Sequence, residues 1–150
     1  KCIGGGVGLA AAADYAIACE GAEIKLSELA VGIGPFVVGP AVERKLGLSA
    51  FSQLAIDAGN FRPADWARRK GLFAELHETV EGVDESIVRL SNTLAKSSPE
   101  AIKELKSIFW EGTEHWDELL LQRAAISGKL ILSDYSKNFI ANFKAKQKTS

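Results

Sequence analysis

Four glycines in five positions, Gly4-Gly5-Gly6-Val7-Gly8, lie between the apolar pair Cys2-Ile3 and an alanine-rich run. This cluster constrains the chain more than any other feature. Without Cβ atoms the backbone can turn tightly and can approach a ligand or another backbone closely. The following stretch, Gly6 to Ala18, suits a buried helix leading into a short strand. A helix opening on such a turn presents N–H groups with no intrahelical partner and the positive end of its dipole. A phosphate or a developing oxyanion fits there. Plain close packing of a helix on a sheet also needs small residues, and both readings stand at this level.

The remaining pattern predicts an α/β chain. Glu23-Ile24-Lys25-Leu26-Ser27 alternates as a strand does. Gly32, Gly34, Pro35, Gly39 and Pro40 interrupt regular structure and predict a loop. Helices are expected at roughly 40–46, 49–57 and 63–70, the last closed by Gly71. Leu72 to Leu76 reads as a strand, and Asp84 as the cap of a helix reaching about Lys96. Ser98-Pro99-Glu100 opens another helix, with Ile102, Leu105, Ile108 and Phe109 on one face. A long helix is expected over about 114–132, followed by a tail with Tyr135, Phe139 and Phe143 four residues apart. Two or three strands are too few to cover so many helices. With no methionine and a start in what reads as mid-strand, this leads us to expect further sequence upstream.

Composition narrows the function classes. The chain has 18 basic and 19 acidic residues, without the basic excess of a nucleic-acid binder. Its one cationic concentration runs from Lys137 to Lys148, which reads as a solvated tail. No apolar run approaches the ~18 residues of a membrane span. Cys2 and Cys19 cannot form a disulfide framework and suit a reduced, cytoplasmic setting as small apolar fillers. His77 and His115 lack metal-ligand spacing. Asp14 reads as a structural acid, and Trp66, Trp110 and Trp116 as anchors of the core or of a subunit interface.

Glu28 gives the glycine turn two possible chemistries. In the first, Gly6-x-Gly8-x-x-Ala11 is a dinucleotide fingerprint and Glu28, twenty residues after Gly8, binds a ribose. In the second, the turn holds an oxyanion. Glu28 then ends a strand before an apolar loop containing Leu29, Val31, Ile33, Phe36 and Val37. A carboxylate in such surroundings has a raised pKa and can act as a general acid or base. The alternative for Glu28 is an ordinary solvated glutamate or loop cap.

Three strings carry a family resemblance. They are Gly4-Gly5-Gly6-Val7-Gly8-Leu9-Ala10, Asp14-Tyr15-Ala16-Ile17-Ala18, and Lys25-Leu26-Ser27-Glu28 running on to Gly34-Pro35. Together they resemble the enoyl-CoA hydratase/isomerase (crotonase) superfamily, and the similarity runs on through Ala67-x-x-x-Gly71-Leu72 to the terminal helix. The chain looks most similar to bacterial enoyl-CoA hydratases, methylglutaconyl-CoA hydratases among them, and to about the C-terminal three-fifths of a member. The resemblance implies a crotonase-like α/β fold. Residues 1–76 would form the C-terminal part of the core, and residues 77–150 a helical region serving assembly as a trimer or a dimer of trimers. It implies an acyl-CoA substrate carrying a short or branched enoyl group, with coenzyme A entering as part of the substrate and no separate cofactor. The Gly5 N–H would hold the enolate oxygen and Glu28 would move the proton. Gly8, Gly32, Pro35 and Phe36 would shape the acyl pocket, and Phe143 and Lys144 would lie near the CoA adenine.

Two departures qualify that picture. Two-glutamate hydratases of the superfamily carry their second glutamate where this chain has Gly8. Gly34-Pro35-Phe36 is similar to the loop of single-glutamate 3-enoyl to 2-enoyl-CoA isomerases. The family's other oxyanion N–H and its main CoA-binding segment lie upstream of the part matched. Since one lost oxyanion donor costs about 10²–10³ in rate, the chain alone is expected to be nearly inactive. A non-catalytic acyl-CoA-binding role is the remaining alternative.

Overall fold

A computed structural model describes residues 1–147. Lys148, the end of the cationic run, lies outside the described residues. The apolar pair Cys2–Ile3 forms β1, and the glycine turn leads directly into α1 (Gly5–Ala12). β2 (Ile17–Cys19) and β3 (Glu23–Lys25) follow. A 3-10 turn over Glu28–Val31 precedes the Gly/Pro loop. The two helices expected around 40–57 form one helix, α2 (Gly39–Ile56), broken by non-helical geometry at Gly47. β4 (Arg62–Pro63) and α3 (Ala64–Arg69) complete the first half.

Among the described residues five short strands form two small sheets, more strands than the sequence predicts. In one, β1 and β3 are parallel and β4 is antiparallel to β3. In the other, β2 lies parallel to β5 (Glu75–His77). The expected strand over Leu72–Leu76 is thus displaced. Leu72 and Phe73 are buried in the core instead, and pairing begins only at Glu75, opposite Ile17. The core joins α1, β3, α2 and α3 through Val7, Ala11, Ile24, Leu26, Val42, Leu54, Ala64 and Leu72. Alanines on α1 and α3 give the clearance that lets these helices sit close to the strands.

The helical half comprises α4 (Val80–Ala95), α5 (Pro99–Phe109), α6 (Trp116–Ile131) and α7 (Asp134–Gln147). The cap of α4 corrects the expectation at Asp84. Thr79 is the N-cap, and its hydroxyl accepts a hydrogen bond from the Gly82 N–H, so Asp84 lies inside the helix. Gly82 in the first turn disguises that start in the sequence. Ser98 caps α5 as expected, accepting from the Ala101 N–H at 3.2 Å. Among the described residues no helix is long and apolar enough to cross a membrane.

Candidate active site

The parallel pairing of β1 with β3 builds the site. Cys2 faces Ile24 and Ile3 faces Lys25, so the two strands end side by side at one edge. Gly4 leaves β1 with φ 53° and ψ −113°, a conformation that strains any side chain. Its N–H donates to the Lys25 carbonyl at 2.8 Å, tying the turn to the neighbouring strand. Its carbonyl accepts from Val7 and Gly8, so α1 begins at Gly5 with its first N–H groups pointing out of the helix.

Glu28 opens the turn that follows β3. A Cβ placed on Gly4 would lie 2.9 Å from Glu28 Oε1, so the carboxylate fills the space that glycine leaves. Glu28 Oε2 is buried without a hydrogen-bond partner. Burial pushes the carboxyl pKa up, and a hydrogen bond to its own backbone opposes this only in part. The edge therefore places a positive helix end beside a carboxyl group whose proton is held more tightly than in an exposed glutamate.

Above Gly5 lies an apolar groove of about 330 Å³. Its floor is Gly5, Gly8 and Ala12 of α1, one side is Val37 and Val38, and the far wall is Trp110, Trp116 and Leu120. Gly8 is closed off from below, since a Cβ there would meet Val38 Cγ1 at 2.6 Å. The remaining acyl-pocket candidates sit elsewhere. Gly32 faces α7, where an added Cβ would meet Tyr135 at 2.5 Å and Ser136 Oγ at 2.6 Å. Pro35 is buried, and the Phe36 ring folds over Gly34. From this loop only Val37 and Val38 reach the groove. Phe143 and Lys144 do come together with Lys25, Ser27 and Phe139, around a cavity of about 460 Å³ beside the Glu28 turn.

Trp110 and Trp116 are what sequence reasoning missed. Both lie in the helical half, about a hundred residues from the glycine turn, and no local periodicity links them to it. The nearest signal was a tryptophan pair six residues apart around Gly112.

The family described as enoyl-CoA hydratase/isomerase matches residues 1–149. The chain belongs to this family. No curated protein matches it. Solved structures that are similar include an enoyl-CoA hydratase from Mycobacterium avium (24% identity, TM-score 0.85), covering 95% of this chain and 56% of that one. An enoyl-CoA hydratase/isomerase from Pseudoalteromonas atlantica T6c shares 22% identity at TM-score 0.86, over 97% of this chain and 58% of that one. A carnitinyl-CoA hydratase from Mycobacterium avium shares 23% at TM-score 0.84, over 97% and 57%. The chain thus spans under two-thirds of their length. At these identities the likeness shows the crotonase-like α/β fold. Membership of the hydratase/isomerase family takes the place of the dinucleotide reading.

Proposed function

We propose that the protein processes a short or branched enoyl-CoA through an enolate, with the Gly5 N–H on the thioester oxygen and Glu28 as the proton carrier. The observation that carries this is the half-buried Glu28 carboxyl, its pKa raised by burial, seated against Gly4 at the mouth of α1. Ionised Glu28 takes a proton from the carbon next to the thioester. The negative charge moves to the thioester oxygen, where the N–H and the helix dipole stabilise it. Glu28 then returns the proton to a carbon of the same chain. Coenzyme A takes part only as a portion of the substrate, and Phe143 and Lys144, which line one cavity beside the Glu28 turn, would meet its far end.

Among reactions of this type, migration of the double bond from the 3- to the 2-position is favoured over hydration. Hydration has to activate water and protonate carbon, a task suited to two carboxylates. At Gly8, the position of the second glutamate, a side chain meets Val38. A single carboxylate suffices to move one proton between two carbons. We further propose a cytoplasmic setting, consistent with free cysteines at positions 2 and 19.

The test is to supply the full protein with a 3-enoyl-CoA and with a 2-enoyl-CoA. Formation of the conjugated product from the first, outpacing hydration of the second, is expected. Glu28→Gln should lower turnover by about 10²–10⁴. Faster hydration than migration would reverse the preference, and a fully active Glu28→Gln protein would remove Glu28 from the mechanism.

A further inference from the structure

The far wall of the groove is held in place by contacts that the proton step does not use. Trp110 ends α5, and its Nε1–H donates to Asp14 Oδ1 at 2.8 Å, across 96 residues of sequence. The other Asp14 oxygen accepts from Lys106 Nζ. Burial pushes the Asp14 carboxyl up, but the Lys106 and Trp110 hydrogen bonds outweigh this and leave its pKa lowered. Arg44 stacks on the indole at 4.2 Å and donates to the Phe109 carbonyl. Lys106 lies 5.0 Å from the same ring, and Trp116 meets it edge-on at 5.8 Å between centroids. Trp110 is thereby fixed, and its N–H and both nearby cations are already engaged.

The groove side of this wall offers an acyl group hydrocarbon surface and at most the Trp116 N–H. A carboxylate or hydroxyl carried in on an acyl chain would lose its water without adequate replacement. We propose that Trp110 and Trp116 make the groove selective for acyl-CoAs whose acyl group is hydrocarbon throughout, with Asp14 as the positioning residue for Trp110. Carboxylated acyl groups, the methylglutaconyl group among them, are excluded. The inference rests on the acyl-CoA reading above and specifies the substrate class of that same site.

The experiment is calorimetric titration of the full protein with three probes. These are a saturated hydrocarbon acyl-CoA, its ω-carboxyl counterpart of equal chain length, and CoA alone. The hydrocarbon form should bind at least about tenfold more tightly than the carboxylated one. Trp110→Ala, which opens the groove to Arg44 and Lys106, should shrink that ratio towards one. Asp14→Ala should shrink it as well, while Asp14→Asn, which keeps an acceptor for the indole N–H, should retain it. A merely structural Asp14 would instead weaken both ligands equally in both variants. Equal wild-type affinities, or a ratio unmoved by Trp110→Ala, overturn the selectivity while leaving acyl-CoA binding intact. If neither acyl-CoA binds more tightly than CoA alone, the acyl-CoA reading falls, and this proposal with it.

Discussion

At the scale of single residues, Gly4 and Glu28 share one volume, and each dictates the other. A Cβ on Gly4 reaches within 2.9 Å of Glu28 Oε1, and the φ of 53° already strains a side chain. Gly4→Ala should therefore destabilise the fold by about 1–3 kcal/mol and cut activity further by displacing the carboxylate. Thermal unfolding and turnover, measured together, separate the two effects. Glu28 itself works against stability. Its folded pKa is raised, so its ionised form costs the fold above that pKa and the cost fades as pH falls and the group protonates. Glu28→Gln should raise the melting temperature at neutral pH and change it little in acid, while turnover is lost. A lower melting temperature at neutral pH would show that the buried carboxylate is satisfied in some way the geometry does not reveal.

At the scale of elements, the junction of β5 with α4 depends on Glu75. Hydrogen bonds from Ser86 first, then Tyr15, with Arg89 and His77 adding to them, hold its pKa down to about 2. A lowered carboxylate pKa stabilises the fold above the ordinary glutamate range, and that benefit disappears as pH falls towards about 2. Ser86→Ala should shift the acid-unfolding midpoint to higher pH. A midpoint unchanged within error would mean that Ser86 carries no weight there. The packing of α7 on the Glu28 turn depends on Gly32, and Gly32→Ala should cost about 1–3 kcal/mol by forcing Tyr135 and Ser136 aside.

Much at this scale was legible in the sequence because its signals are local. The glycine turn, the alternation around Ile24 and the Ser98 cap all appear where chain chemistry requires them. The displaced elements have equally local causes. Thr79 was overlooked because Gly82 interrupts the first turn of α4. Leu72 and Phe73 look strand-like because core side chains after a helix share the composition of a strand. That the glycine turn and Glu28 belong to one site could be inferred from the family resemblance, whereas the contact of Glu28 with Gly4 is seen only in the fold. The Asp14–Trp110 bond could not be inferred, since it joins the end of α1 to the end of α5 through tertiary packing alone.

At the scale of the whole molecule, the two halves differ in how they are buried. The core gathers on residues up to Phe73, whereas α5 and α6 bury no residue fully. Leu94, Leu105 and Phe109 are exposed around one apolar cavity of about 350 Å³, and Ile108, Leu121 and Leu132 are exposed elsewhere on α5 and on or beside α6. Apolar surface of this extent is what contact with another subunit would cover. We expect the full protein to assemble as a trimer or a dimer of trimers. Analytical ultracentrifugation checks this, and a monomer at micromolar concentration contradicts it.

In the proposed reaction Glu28 removes a proton beside a thioester held at the Gly5 turn. Its most direct test is exchange of the α-protons of a saturated acyl-CoA with deuterated water, followed by NMR. Protein-dependent exchange is expected, and Glu28→Gln should reduce it by about 10²–10⁴. Exchange at an unchanged rate in Glu28→Gln would contradict it.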